Sequence, residues 1–154
     1  MKLLGKRFII MTSMMLLVGC FGSPNASKEE EDIAKKFIKD PNNTVIYIYR
    51  GWAQATQTFR LYLDDNLIGE SNNNSFFRIV SQPGIHKMTL TNVRNVALDT
   101  LSFSTEADKV YYVEIKGNPI FVSKLKLALI ANQEAMQKIR EYSLLKTGIT
   151  ATGK

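Results

Sequence analysis

Between residues 44 and 130 the chain is a succession of short apolar or alternating runs, each ended by a turn signal. Val45 to Tyr49 is unbroken and apolar, the pattern of a strand buried on both faces. Phe59, Leu61 and Leu63 alternate with Arg60, Tyr62 and Asp64, which predicts one wet face. Asp65-Asn66 suits a tight hairpin turn before Leu67 and Ile68. Phe76 to Val80, a Pro83-Gly84 turn and Ile85 to Thr91 come next, with Met88 and Leu90 on one face. Further strands are expected over Val96 to Ser104 and over Val110 to Ile115, the latter with Tyr111, Val113 and Ile115 together. After Gly117-Asn118-Pro119 a last strand is expected over Phe121 to Ile130, where Leu125, Leu127 and Leu129 alternate with lysines. Seven or eight short strands with turns this frequent predict a mainly β domain, an antiparallel sandwich or barrel.

Helices flank this block. Ser27 and Glu30 have capping-box spacing, and Glu29 to Asp32 place negative charge at the positive end of a helix dipole. The predicted N-terminal helix covers residues 28–40, docks through Ile33, Phe37 and Ile38, and stops at Asp40-Pro41. A C-terminal helix is expected over residues 131–145, capped by Asn132 and apolar at Met136, Ile139 and Tyr142. Residues 146–154 read as a frayed polar tail.

The first 27 residues follow a different logic. Lys2, Lys6 and Arg7 precede an apolar core, Phe8 to Val18, of roughly 11 residues, the anatomy of a signal peptide. Spanning a bilayer takes roughly 20 apolar residues, so this run is expected to be cleaved and not kept as an anchor. Leu17-Val18-Gly19-Cys20 then reads as a lipobox: residues 1–19 are removed, Cys20 carries the lipid, and residues 20–27 form a small, polar tether. Several acyl chains together give stable anchoring where one gives only marginal binding. No Asp follows Cys20, so the outer membrane facing the periplasm is the expected location in a Gram-negative cell.

Cleavage also changes the charge. Without Lys2, Lys6 and Arg7 the 20 basic residues become 17 against 14 acidic ones, and the net charge falls from +6 to +3. The remaining lysines are dispersed, with no basic tract of the kind that tracks nucleic acid, so no nucleic-acid partner is expected. Acylation of the only cysteine leaves no disulfide, and the fold must rest on its apolar core.

Tyr47-Ile48-Tyr49-Arg50, Leu63-Asp64-Asp65, Ile68-Gly69, Ser75-Phe76-Phe77, Pro83-Gly84-Ile85-His86 and Lys109-Val110-Tyr111-Tyr112-Val113 occur in this order. Together they resemble the bacterial lipoproteins of domain-of-unknown-function family 2846 over about residues 44–130. Asp65 stands where that pattern usually has a turn glycine, and Asp108 where a glycine often precedes the lysine. The resemblance implies a periplasmic β-sandwich, transthyretin-like or carboxypeptidase-regulatory-like, and no established activity.

His86, the only histidine, is expected to be structural, paired with a carboxylate or a backbone group. No nucleophile signature accompanies it. One histidine and one acylated cysteine leave only carboxylates for a metal, and Asp64, Asp65, Asn66 and Glu70 lack calcium-loop spacing and read as turn chemistry. No phosphate loop is present, and no cofactor is expected. Arg50 and Trp52, at the end of the most buried strand, are the candidate binding residues, a planar cation and an aromatic surface for a sugar or peptide. The expected function is a non-enzymatic envelope lipoprotein that binds another envelope protein or a glycan. The alternative is an outer-membrane lipoprotein of a secretion machine of the type VI kind, and a hydrolase using His86 ranks third.

Overall fold

The computed structural model describes residues 22–52, 57–117 and 125–148. Cys20 and the expected signal peptide therefore lie outside the described residues, as do the start of the expected last strand and residues 149–154. The described elements are α1 (Lys28–Ala34), β1 (Thr44–Arg50), β2 (Phe59–Leu63), β3 (Asn66–Ser71), β4 (Ser75–Ser81), β5 (Gly84–Thr91), β6 (Ala97–Thr105), β7 (Lys109–Lys116), β8 (Lys126–Leu129), α2 (Asn132–Glu141) and β9 (Ser143–Leu144).

They form two sheets, ordered β8-β7-β1-β4-β9 and β3-β2-β5-β6, which makes the mainly β, sandwich-like architecture expected from the turn spacing. Strand β1 is buried throughout because it lies between β4 and β7 and is covered on both faces. Its Ile46 and Ile48 face Leu61, Met88, Leu90 and Phe103 of the smaller sheet. Its Val45, Tyr47 and Tyr49 join Phe76 and Tyr112 in a second core roofed by Ala34, Phe37, Ala135 and Ile139. A strand in the middle layer of three reads as a continuous apolar run. Strand β2 alternates between buried and half-buried positions, as a strand with one covered face does.

Most strand pairs are antiparallel, but β1 with β7 and β4 with β9 run parallel. Parallel neighbours need a crossover connection, and here the whole smaller sheet is laid down between β1 and β7. Residue alternation is identical in the two pairings, so the sequence carries no mark of the difference.

Both helices are shorter than expected. The capping box of α1 is present, with the Glu30 amide donating to Ser27 Oγ at 3.2 Å and the Ser27 amide to Glu30 Oε2 at 2.8 Å. The helix stops at Ala34, well before Pro41, because Phe37 adopts a left-handed backbone (φ 54°) that drops its ring against Tyr47, 5.2 Å between centroids. Ile33 and Ile38, assigned to the docking stripe, stay exposed, and Ala34 and Phe37 do the docking. Helix α2 starts after an uncapping Ala131, with Asn132 as its first residue. It ends at Glu141, because Ser143 and Leu144 pair with Ser75 and Phe76 and sink Leu144 into the second core.

The ends of the domain are tied together. The Ser23 amide donates to Glu70 O and its Oγ accepts from the Glu70 amide, the Ala26 amide donates to Leu144 O, and Asn25 bridges to Leu145. The Lys146 amide donates to Pro24 O and the Gly148 amide to Ile68 O. Residues 23–26, expected as part of a flexible tether, are thus integral to the fold, and 146–148, expected to fray, are bonded to it. Unpaired backbone groups beside a sheet edge find partners in each other.

Candidate functional site

The conspicuous motif residues converge at the end of the sandwich where β1 begins. Asp64 and Asp65 both have positive φ (49° and 64°), the geometry of a primed hairpin turn, one residue earlier than the Asp65-Asn66 turn read from sequence. Asp64 Oδ2 lies 2.7 Å from His86 Nδ1, its Oδ1 accepts from the Lys87 amide at 2.9 Å, and its own amide donates to Lys87 O. His86 Nε2 faces Gln82 O at 2.9 Å. Both ring nitrogens are therefore committed, one to a carboxylate and one to a carbonyl, the structural role expected of this histidine. Neither is placed to take a proton from a nucleophile. Asp65 pairs with Lys87 and Glu70 with Arg60, so the acidic residues near this turn diverge and do not gather around a common point.

Arg50 and Trp52 sit at the opposite end, where β1 finishes. Arg50 is buried to 2% exposure, its guanidinium 4.8 Å above the Phe59 ring, with Nη1 donating to Gln57 O at 2.7 Å and to Ser71 O at 3.4 Å. Burial pulls its pKa down to about 10. A cation packed and hydrogen-bonded in this way holds the β1 end, β2 and β3 together, while its edge still lines the neighbouring cleft. Trp52, two residues further on, is 69% exposed. The pair singled out in sequence thus divides into a structural arginine and a free indole.

Beside them opens a cleft of about 470 Å³, lined by Trp52, Glu114, Lys116, Leu125, Glu134 and Lys138 among others. Its wall is a chain of ion pairs. Lys138 Nζ lies 2.9 Å from Glu114 and 3.0 Å from Glu134, and Lys116 lies 3.7 Å from Glu114. The bond to Glu114 raises the Lys138 pKa, and Lys138 in turn lowers that of Glu134. Under Lys138, 5.8 Å from the ammonium, lies the ring of Tyr49, whose buried hydroxyl has no hydrogen-bond partner among the described residues. Burial raises the pKa of that hydroxyl. Such a site can hold a polar, mixed-sign surface by hydrogen bonds. Among the described residues it contains no pair of groups arranged as nucleophile and base.

Glu114, Lys116 and Lys138 were not singled out in the sequence. The i,i+4 spacing of Glu134 and Lys138 was a legible signal on the helix. The meeting of Lys138 with Glu114 depends on how α2 lies across β7, and nothing local encodes it.

A family model described as "Protein of unknown function (DUF2846)" matches residues 40–123, which include the Asp64–His86 clasp, Arg50 and Trp52 but not α2. An uncharacterized protein of Haemophilus influenzae is 30% identical over 146 residues, covering 93% of this chain and 86% of that protein.

Proposed function

The chain belongs to the family described as "Protein of unknown function (DUF2846)", and from that premise we propose that it is a lipid-anchored envelope lipoprotein with a non-enzymatic binding domain. Cys20 carries the lipid, the outer membrane is its site, and the domain faces the periplasm. The ion-paired cleft beside Trp52 is where it holds a partner. The observation that carries the reading is the junction of lipobox and fold: among the described residues, hydrogen bonding of the domain begins at Ser23, only three residues after Cys20 in sequence. Among the described residues the cleft wall is built from lysine–glutamate pairs with one aromatic residue at its edge, which suits a segment of an envelope protein better than a stacked glycan. Commitment of both His86 nitrogens supports a binding role over hydrolysis.

Growth with an alkyne fatty acid, with and without the lipoprotein signal-peptidase inhibitor globomycin, tests the anchor. A labelled, membrane-bound chain that accumulates uncleaved under globomycin is expected, and a cleaved, unlabelled chain would overturn it. Photocrosslinking residues placed at Lys116 and Glu134 test the cleft. One discrete crosslinked protein, lost on Lys138→Glu, is expected, whereas a crosslinking pattern no different from a photocrosslinker at Thr89 on the smaller sheet would refute the assignment.

A further inference from the structure

The position at which the chain leaves the fold restricts how the domain sits on its membrane. Ser23 is bonded to Glu70 at the edge of β3, and Gly22 lies against Asn72, so closely that a Cβ on Gly22 would fall 2.3 Å from Asn72 Oδ1. The backbone of Gly22 is also left-handed (φ 107°). From Ser23 at Glu70 to Gly22 at Asn72 the chain therefore runs along β3 toward the β3–β4 turn and off that end of the sandwich. One residue, Phe21, separates Gly22 from Cys20, a Cα–Cα reach of at most about 7 Å even when fully extended. A thioether so tethered holds the bilayer against this end of the domain.

That end is the one carrying Trp52. The β3–β4 turn closes through Ser75 Oγ, which donates to Asn72 O at 2.6 Å, and Ser75 is the register partner of Arg50 on β1. Arg50 also reaches back to Ser71 O. Trp52 follows at once, the only tryptophan in the chain, with most of its ring in solvent. Around it stand Gly51 and, across the cleft, Lys116 paired with Glu114 at the end of the parallel neighbour β7, with the amide-rich turn Asn72–Asn74 at the same end of the sandwich. An exposed indole at a polar end of mixed charge can settle at the headgroup level of a bilayer, where its apolar face and its N–H are both satisfied. Exposed apolar residues are not confined to this end, and Ile85, 83% exposed, marks the far one, beside the Asp64–His86 clasp.

We propose that the Trp52 end of the sandwich rests directly on the phospholipid bilayer that holds its own anchor, with the Trp52 indole inserted among the headgroups and the Ile85 end directed away from the membrane. This rests on the lipidation of Cys20. Phospholipid meets the outer face of the Trp52 indole at the rim of the cleft, and the ion-paired wall of Glu114, Lys116, Glu134 and Lys138 is left to the partner. The cleft mouth consequently lies close to the membrane plane, and its partner approaches along the surface.

The single tryptophan makes the test direct. The full-length lipidated protein is reconstituted into phosphatidylethanolamine–phosphatidylglycerol vesicles with and without brominated acyl chains, and acylation is checked by intact mass. Bromolipid is expected to remove most of the Trp52 emission, which is blue-shifted relative to the unlipidated domain. A Trp52→Phe, Ile85→Trp variant, both changes at exposed positions, is expected to keep its emission. An acylated protein in which Trp52 is quenched no more than the tryptophan at position 85 would overturn the docking while leaving the anchor intact. A mature chain without acyl mass would remove the anchor, and the docking with it.

Discussion

The two ends of the sandwich use their polar residues in opposite ways. Where β1 begins, Asp64 spends both carboxylate oxygens on His86 and the Lys87 amide, His86 spends both nitrogens, and the side chains that define the motif are consumed in holding the β2–β3 turn to β5. Where β1 ends, one buried cation, Arg50, stitches three elements together, and immediately beyond it Trp52 and the lysine–glutamate wall stand open. The polar residues of the closed end serve the fold. Those that face outward at the open end come from separate elements, β1, β7 and α2, and are brought together only by the tertiary fold.

The comparison predicts a hierarchy of effects. Arg50→Ala should cost the most, about 3–4 kcal/mol, because it leaves the Gln57 and Ser71 carbonyls without their donor and a void over Phe59. The midpoint of urea unfolding measures it, and a loss under about 1 kcal/mol would mean that the open end does not depend on this cation. Asp64→Ala should cost about 2 kcal/mol, since it removes two hydrogen bonds and puts alanine at a left-handed φ. Asp64→Asn keeps an αL-tolerant residue and should recover about half of that loss. Equal losses for the two variants would assign the clasp to charge alone.

Glu31 sharpens the contrast from the helical layer, where a carboxylate is neither in the clasp nor at the open end. Burial works to raise its pKa, but hydrogen bonds from Lys35, the Leu144 amide and Lys28 prevail and hold it at about 2, against 4.5 when unperturbed. A carboxyl with a depressed pKa stabilises the folded state fully above its unfolded value, and the contribution is lost as the pH falls from about 4.5 toward about 2. Glu31→Gln should therefore cost about 1–2 kcal/mol at neutral pH and flatten the acid limb of the stability curve. An unchanged acid limb in thermal scans between pH 5 and pH 2.5 would show that β9 does not rely on this link.

The sequence disclosed what depends on local pattern. The buried run of β1, the alternation in β2, the capping box at Ser27 and the structural histidine are each written in residue type and spacing. Asp65 and Asp108, each read from sequence as a turn position, both have positive φ (64° and 56°), so an aspartate carries the backbone strain there. What was hidden depends on long-range choice: the parallel pairing of β1 with β7, the diversion of Ser143 and Leu144 from helix to strand, and the placement of Lys138 beside Glu114. Asp65→Gly tests the legible part, with an expected gain of up to about 1 kcal/mol from relieving the left-handed backbone. Its exposed pair with Lys87 should offset little of this, and a net loss in urea titration would mean that the pair outweighs the backbone.

Trp52→Ala is the smallest and most discriminating change. The ring is 69% exposed, so it contributes little buried area, and removing it should move the unfolding free energy by no more than about 0.5 kcal/mol. If the ring instead covers the end of the core, the loss would approach that of Arg50→Ala, and the division between a structural arginine and a free indole would collapse. With stability unchanged, any loss of partner crosslinking or of membrane docking in this variant belongs to the indole itself. That outcome separates the two neighbouring residues by role: Arg50 secures the surface from beneath, and Trp52 is what the surface presents.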